Sequence, residues 1–331
     1  MKRKNPWIFA TLTKDRIYYV DKAGNDALWS WQVNSRQQLE GRTKRVMRVG
    51  SAYYFNLKTK QLSWVQKRHD NMERSGCFEE HYLRRGGFLP RLGKREKRTV
   101  KKIWKTLKTQ LRNGNDTRRI VRDQRYSKEV MVSIDHKDVE TLFRGTASVG
   151  KLNGDMVNFF ITKLSNTLLE KNSKVSAHIF NTYFFEALRR CITKGEDPRK
   201  LKLGLKHLKY DIGECDRIIV PINVKGMHWA VTVIDKQFQT FRYYDSDKND
   251  VGDFGAFQIL LPWIKTLWKL ENAEHWQHLL VKNLPKQENN YDCGIFMMKY
   301  MADMVFEIPF NFAQKDMKTI RKQIATICLE Q

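Results

Sequence analysis

Residues 216–248, DRIIVPINVKGMHWAVTVIDKQFQTFRYYDSDK, decide the fold. Ile218, Ile219 and Val220 read as a buried strand that ends at Pro221. His228 to Ile234 read as a second strand, and its nearly unbroken apolar run is what a strand covered on both faces requires. Asp235 and Lys236 turn the chain, and Thr240 to Tyr244 read as a third strand. His228 therefore opens one central strand and Asp245 closes the next. Antiparallel pairing sets the start of one strand beside the end of its neighbour. The two side chains are expected side by side, although 17 positions separate them.

A third reactive group follows. QENNYDC at 287–293 runs into the apolar GIFMMKY, a polar stretch joined to a buried helix with Gly294 at the join. A cysteine at a helix N-terminus lies where backbone N–H groups and the helix dipole favour the thiolate. With His228 as base and Asp245 fixing its tautomer, Cys293 has the partners a nucleophile needs. The amide of Gln287 and the backbone N–H of Cys293 would steady the oxyanion of a tetrahedral intermediate. Asp292 is expected to close the turn, and Gly294 to let a substrate backbone come close. Taken singly, each residue has an ordinary reading: a strand-end histidine, a turn aspartate, a surface glutamine, a small core cysteine. The order His, Asp, Gln, Cys in these contexts argues against all four at once.

Around that core, VMVSIDHKDVETLFR (130–144) reads as a strand and a helix capped near Asp135 or Asp138. Met156, Val157, Phe159, Phe160, Leu164 and Leu168 line one face of a buried helix. AHIFNTYFFEALRRC reads as a strand or loop leading into a helix. His275 and His278 flank Trp276 in a stretch that reads as a helix surface, and no metal site is expected. Cys191, Cys215 and Cys328 read as buried thiols. The five cysteines are widely spaced and form no CxxC pair, which argues against structural zinc and a disulfide framework. A reducing, intracellular compartment fits. No run of about 18 apolar residues suggests a membrane span, and the N-terminus does not read as a signal peptide.

The net charge of +25 is unevenly placed. Residues 1–130 hold 33 Lys and Arg against 12 Asp and Glu, a balance of +21, whereas the remainder balances at +4. Such a first half suits anionic partners or nuclear import. Its densest run is RLGKREKRTVKKIWKTLK (91–108), where Ile103, Trp104, Leu107 and Leu111 recur at helical spacing. A nuclear import signal, a nucleic-acid or membrane-surface contact and a solvated helix face all remain open for it. Upstream, aromatic and β-branched residues alternate between turn signals in two stretches. Tyr18 precedes Trp29 by the same 11 positions that separate Tyr53 from Trp64, which suggests two copies of one small β-meander.

These two stretches resemble the WW domain, through Trp7, Arg16, Tyr18, Tyr19 and Trp29 in the first and Tyr53-Tyr54-Phe55-Asn56, Thr59 and Trp64 in the second. The resemblance implies grooves for Pro-rich ligands at Tyr18 with Trp29 and at Tyr53 with Trp64. Arg42 stands where the second copy would carry its first Trp, and Trp31 and Gln66 stand where the usual Pro is found. The larger part of the chain resembles the Ulp/SENP family, proteases of SUMO and related ubiquitin-like proteins that share a clan with the adenovirus protease. IVPINVKGMHWAVTVID, YYDSD, LPKQENNYDCGIFMMKY and FNTYFFEAL carry the likeness. It implies an α+β, papain-like fold with a central mixed sheet, and cleavage after a Gly-Gly tail. Trp229 would form one wall over that tail. KLNG at 151–154 resembles the family's Trp-Leu-Asn-Asp, so Lys151, Leu152 and Asn153 are expected at the substrate, with Lys151 and Gly154 as departures.

The expected organisation is a WW-like module at 1–35, a second at 40–70, a basic helical linker at 85–125 and the protease at 126–331, without a cofactor. The expected function is a cysteine protease acting after a ubiquitin-like tail, in the nucleus. The partners expected are the ubiquitin-like protein or its conjugates and, through the basic region, nucleic acid or a Pro-rich protein, with no membrane. Two alternatives stand beside it: a processing endopeptidase of viral polyproteins, placed in the virion or host nucleus, and a non-enzymatic adaptor.

Overall fold

The computed structural model describes six N-terminal strands by their backbone. From residue 88 on it describes the chain apart from 90–91, 115–117, 144–149, 172–176, 199–200, 202–204, 237, 250–251, 272, 274–275, 283, 307–309, 311 and 330–331. Two compact units are present. The first holds Met1–Gly87, Val281–Leu284 and Phe306–Phe310, and the second holds the rest.

In the first unit the strands are β1 (Trp7–Thr11), β2 (Arg16–Val20), β3 (Ala27–Trp29), β4 (Thr43–Met47), β5 (Ala52–Asn56) and β6 (Leu62–Trp64). Two hairpins form, with Tyr18 opposite Trp29 and Tyr53 opposite Trp64. The strand preceding each hairpin pairs elsewhere: the sheets are ordered β1-β5-β6 and β3-β2-β4. Two copies with similar strands can trade their first strands and keep the same backbone hydrogen bonds, as in domain swapping. The side chains of the two expected grooves lie outside the described residues.

The second unit begins with helix α1 (Lys94–Arg112), the hairpin β7 (Arg119–Arg122) and β8 (Met131–Ile134), and α2 (His136–Phe143). Asp135 caps α2, its Oδ1 accepting the N–H groups of Lys137 at 2.7 Å and Asp138 at 3.1 Å. Next come α3 (Gly154–Lys171), β9 (Ala177–Ile179), α4 (Tyr183–Thr193), β10 (Arg217–Val224), β11 (His228–Asp235) and β12 (Thr240–Asp245). The chain continues through α5 (Ala256–Leu267), β13 (Gln277–Leu280), α6 (Cys293–Val305) and α7 (Met317–Leu329). Helix α1 packs on α2 and α7, so the basic segment expected as a linker belongs to this unit.

A mixed five-stranded sheet, ordered β13-β12-β11-β10-β9, forms the centre. β10, β11 and β12 run antiparallel, while β9 and β13 join parallel at the two edges. One apolar face (Ile218, Val220, Ile222, Ile234, Phe241) packs under α4 and α5, where Phe180 stacks on Phe184 and both meet Trp263. Helix α6 packs on β11 and β12, and all residues from Cys293 to Asp303 are buried.

Two sequence expectations are corrected. β10 does not end at Pro221 but runs to Val224. β9 reaches only Arg217–Ile219 of β10, so Pro221 sits where that side of the strand is an edge and a missing N–H breaks no ladder. The segment around Trp276 is not a helix surface but leads into β13, where His278 pairs with Asp253 at 2.9 Å and stacks on Phe257. A four-residue strand is too short for its periodicity to declare itself. His275 lies outside the described residues.

Candidate active site

The register of β11 on β12 sets Ala230 opposite Asp245. His228 lies two residues before Ala230, on the same face, and is thus the diagonal neighbour of Asp245. Its Nε2 meets Asp245 Oδ1 at 2.6 Å. The same oxygen accepts the N–H of Asp247 at 2.8 Å, which holds the carboxylate in place. Cys293 lies close enough to the ring to favour its charged form, and with Nε2 engaged, Nδ1 is the nitrogen left for the thiol. Burial disfavours the charged imidazole, yet the hydrogen bonds and charges of Asp245 and Cys293 outweigh it and raise its pKa to about 10. The ring is thus held as an imidazolium at neutral pH, beside a thiol at the start of α6.

Gln287 is fixed from both ends of its amide. Its Oε1 accepts from Ser246 Oγ at 2.7 Å, and Nε2 donates to the Asn289 carbonyl at 2.7 Å, which leaves one N–H on Nε2. Its backbone N–H donates to the Ser246 carbonyl at 2.9 Å. Lys286 Nζ donates to the carbonyls of Asp245 and Asp247, and Tyr300 donates to the Pro285 carbonyl. The segment before Asn289 is thereby tied to the end of β12.

Asp292 does more than close a turn. Buried beside Cys293, it is paired with Arg321 of α7, whose Nε lies 2.7 Å from Oδ1, while Oδ2 accepts from Asn289 and Gln314, each at 2.8 Å. The remaining Arg321 donors reach the carbonyls of Thr141, Gly150 and Tyr291. One guanidinium therefore joins α2, the approach to Lys151 and the residue before the cysteine. Sequence reading missed it. A single Arg inside the apolar stripe Met317, Ile320, Ile324, Cys328 was the available signal, because a charge on a buried face requires a partner.

The expected substrate residues divide. Trp229 is buried, and its indole donates to the Leu152 carbonyl at 2.7 Å. Lys151 is exposed and reaches the Met227 carbonyl at 3.1 Å, across to the turn before β11. Asn153 caps α3, accepting the Met156 N–H at 3.1 Å and donating to Asp138. Gly294 is closely packed. A Cβ there would lie 3.1 Å from both Leu152 Cβ and Trp229 Cδ1. Cys191, Cys215 and Cys328 are buried and in no disulfide, and burial pushes the Cys328 thiol up to about 12. Among the described residues no group of three or more His, Cys, Asp or Glu could hold a metal, and no helix is long and apolar enough to cross a membrane.

Known proteins resemble this chain. The Ulp1 protease family, C-terminal catalytic domain, matches residues 151–331. Ubiquitin-like-specific protease 1A of Arabidopsis thaliana is 28% identical over 185 residues, covering 54% of this chain and 36% of the relative. Sentrin-specific protease 3 of Homo sapiens is 29% identical over 175 residues, covering 52% and 28%. The chain thus spans about a third of the length of these curated relatives. A structure of the SUMO protease Ulp1 with its catalytic cysteine oxidized to a sulfenic acid superposes with a TM-score of 0.55 at 26% identity, over 74% of this chain and 98% of that one. The catalytic domain of the Chaetomium thermophilum Ulp1-like SUMO protease has the same fold, with a TM-score of 0.54 at 19% identity over 74% and 92%.

Three outcomes follow from this geometry. His228 is more basic folded than unfolded, so its contribution to stability is complete below about pH 6.5 and is lost as pH rises through about 10. The melting-temperature advantage of the parent over His228→Gln should therefore shrink across that window; an advantage that grows with pH would contradict the assignment. Arg321→Leu strands the buried Asp292 and should cost about 3–5 kcal/mol in urea unfolding. Gly294→Ala gains about 1 kcal/mol of helix propensity but overpacks Leu152 and Trp229 at about 1–3 kcal/mol. Thermal melting should show it destabilised, and a raised melting temperature would refute the contact.

Proposed function

Because the chain belongs to the Ulp1 protease family, we propose that it is a cysteine peptidase cutting the peptide or isopeptide bond after the Gly-Gly tail of a SUMO-type ubiquitin-like protein. The observation that carries this reading is the His228–Asp245 pair, 2.6 Å apart, next to Cys293 at the start of α6. An adjacent imidazolium favours the thiolate. The Cys293 thiolate attacks the carbonyl carbon of the last glycine, and negative charge moves to the carbonyl oxygen. The free N–H of Gln287 Nε2 and the N–H of Cys293 stabilise it; removing one such donor costs about 3–4 kcal/mol of barrier. His228 then gives its proton to the leaving amine, and a thioester forms. Neutral His228 takes a proton from water, whose oxygen attacks the thioester. The tail leaves as a carboxylic acid, and the thiol is restored.

Specificity for glycine rests on the buried Trp229 beside Gly294 and Leu152. Lys151 stands where the resemblance places an aromatic residue, with its amine on the Met227 carbonyl. The relatives' names as ubiquitin-like-specific and sentrin-specific proteases support the substrate class. The opposed Tyr18–Trp29 and Tyr53–Trp64 pairs support WW-like modules with Pro-rich partners, and the +21 balance of residues 1–130 supports nuclear residence.

Release of a fluorophore from a SUMO tail ending in Gly-Gly measures the reaction. Cys293→Ala should abolish turnover, and His228→Ala should lose more than Asp245→Asn, in which the base remains. Activity of Cys293→Ala equal to the parent's would overturn the mechanism, and cleavage confined to internal peptide sites would favour a processing endopeptidase.

A further inference from the structure

Helix α1 divides into two sides. Val100 and Leu107 are buried, and Trp104 stacks on Phe143 of α2 at 4.0 Å. On the other side Lys94, Arg98, Lys101, Lys105, Lys108 and Arg112 are all exposed. They follow one another at alternating steps of four and three residues. At 3.6 residues per turn those steps keep all six within about 40° of one line, over a length of about 27 Å. Among the described residues none of the six forms an ion pair, and the helix's one acid, Glu96, lies off that line. Helix α7 widens the field with the exposed Lys318 and half-buried Lys322. Lys322 has its pKa lowered by burial and by the like charges of Lys318 and Lys101. Six aligned cations without counter-charges repel one another, and an array of anions at similar spacing relieves that repulsion.

We propose that this stripe is a docking surface for the phosphate backbone of a nucleic acid, carried by the same compact unit as Cys293. A straight, single-sign row of long side chains suits repeated phosphates. No aromatic side chain lies along the row to stack on bases, so the contact positions the partner without reading its sequence. A helix that lies in a membrane must bury its apolar side among the lipids, and that side of α1 is already spent on α2 and α7. The proposal stands independently of the protease reading.

The test is fluorescence anisotropy of the full chain with a labelled DNA duplex of about 24 base pairs, from about 50 to about 300 mM salt. One variant converts the six stripe residues to Gln; the comparison converts Lys128, Lys194, Lys206, Lys209, Lys265 and Lys269 to Gln, with the same change in net charge. Removing one cation that neutralises a phosphate lowers the slope of log K against log salt by about 0.9, so the slope should fall by about 3–5 in the stripe variant and by less than about 1 in the comparison. Equal slopes in the two variants would overturn the proposal. So would a stripe variant that keeps duplex binding but no longer binds phosphatidylserine vesicles or polyglutamate. Should the sixfold variant fail to give the parent's circular dichroism, Lys101→Gln with Lys105→Gln reads the same slope, with an expected fall of about 2; an unchanged slope there would overturn the proposal as well.

Discussion

The pairing of β11 with β12 is the constraint on which the site depends. Both strands are buried along nearly their whole length, so a slip of one residue would exchange the side chains of two differently packed faces and spoil the close packing of both. The register is therefore fixed by burial, and with it the diagonal that brings His228 to Asp245. Chemistry is then positioned by hydrophobic packing some distance away. The ends of the strands, where burial relaxes, are where the two titratable groups sit.

A second constraint brings the cysteine to that pair. Helix α6 is buried along its whole inner length, but its first turn needs an anchor of its own. Asp292 supplies one by accepting from Arg321, Asn289 and Gln314 at once. Breaking such a pair exposes an uncompensated buried charge, so the network is hard to lose even if forming it adds little net stability. Arg321 also holds the Gly150 carbonyl, and Leu152 two residues on accepts from Trp229. Cys293 and Trp229 are thus both referred to one guanidinium.

Much of this was legible in the sequence because it depends on short, strongly patterned segments. The apolar run after His228, the turn at Asp235 and the polar-to-apolar switch at Cys293 each announce an element, and the antiparallel hairpin brings two of the three groups together. What was not legible depends on contacts between distant segments. Pro221 reads as a stop because nothing in the sequence tells how far β9 extends. Gly294 reads as room for a ligand, whereas Leu152 and Trp229 fill the space. Arg321 drew no reading because its three carbonyl partners, Thr141 in α2, Gly150 and Tyr291, are distant in sequence. In the segment that resembles Trp-Leu-Asn-Asp, Leu152 accepts from Trp229, Asn153 works as a helix cap, and Lys151 reaches a backbone carbonyl. In the first unit the hairpin signals located β2–β3 and β5–β6, but the trade of first strands has no local signature.

The central claim is that Cys293 is a nucleophile poised by His228 for a glycine-ended tail. Peptide mapping after incubation with a SUMO-tail vinyl sulfone tests it most directly. A single adduct on Cys293 is expected, absent in His228→Ala and retained at a reduced rate in Asp245→Asn. No adduct on Cys293, or labelling unaffected by removal of His228, would contradict it.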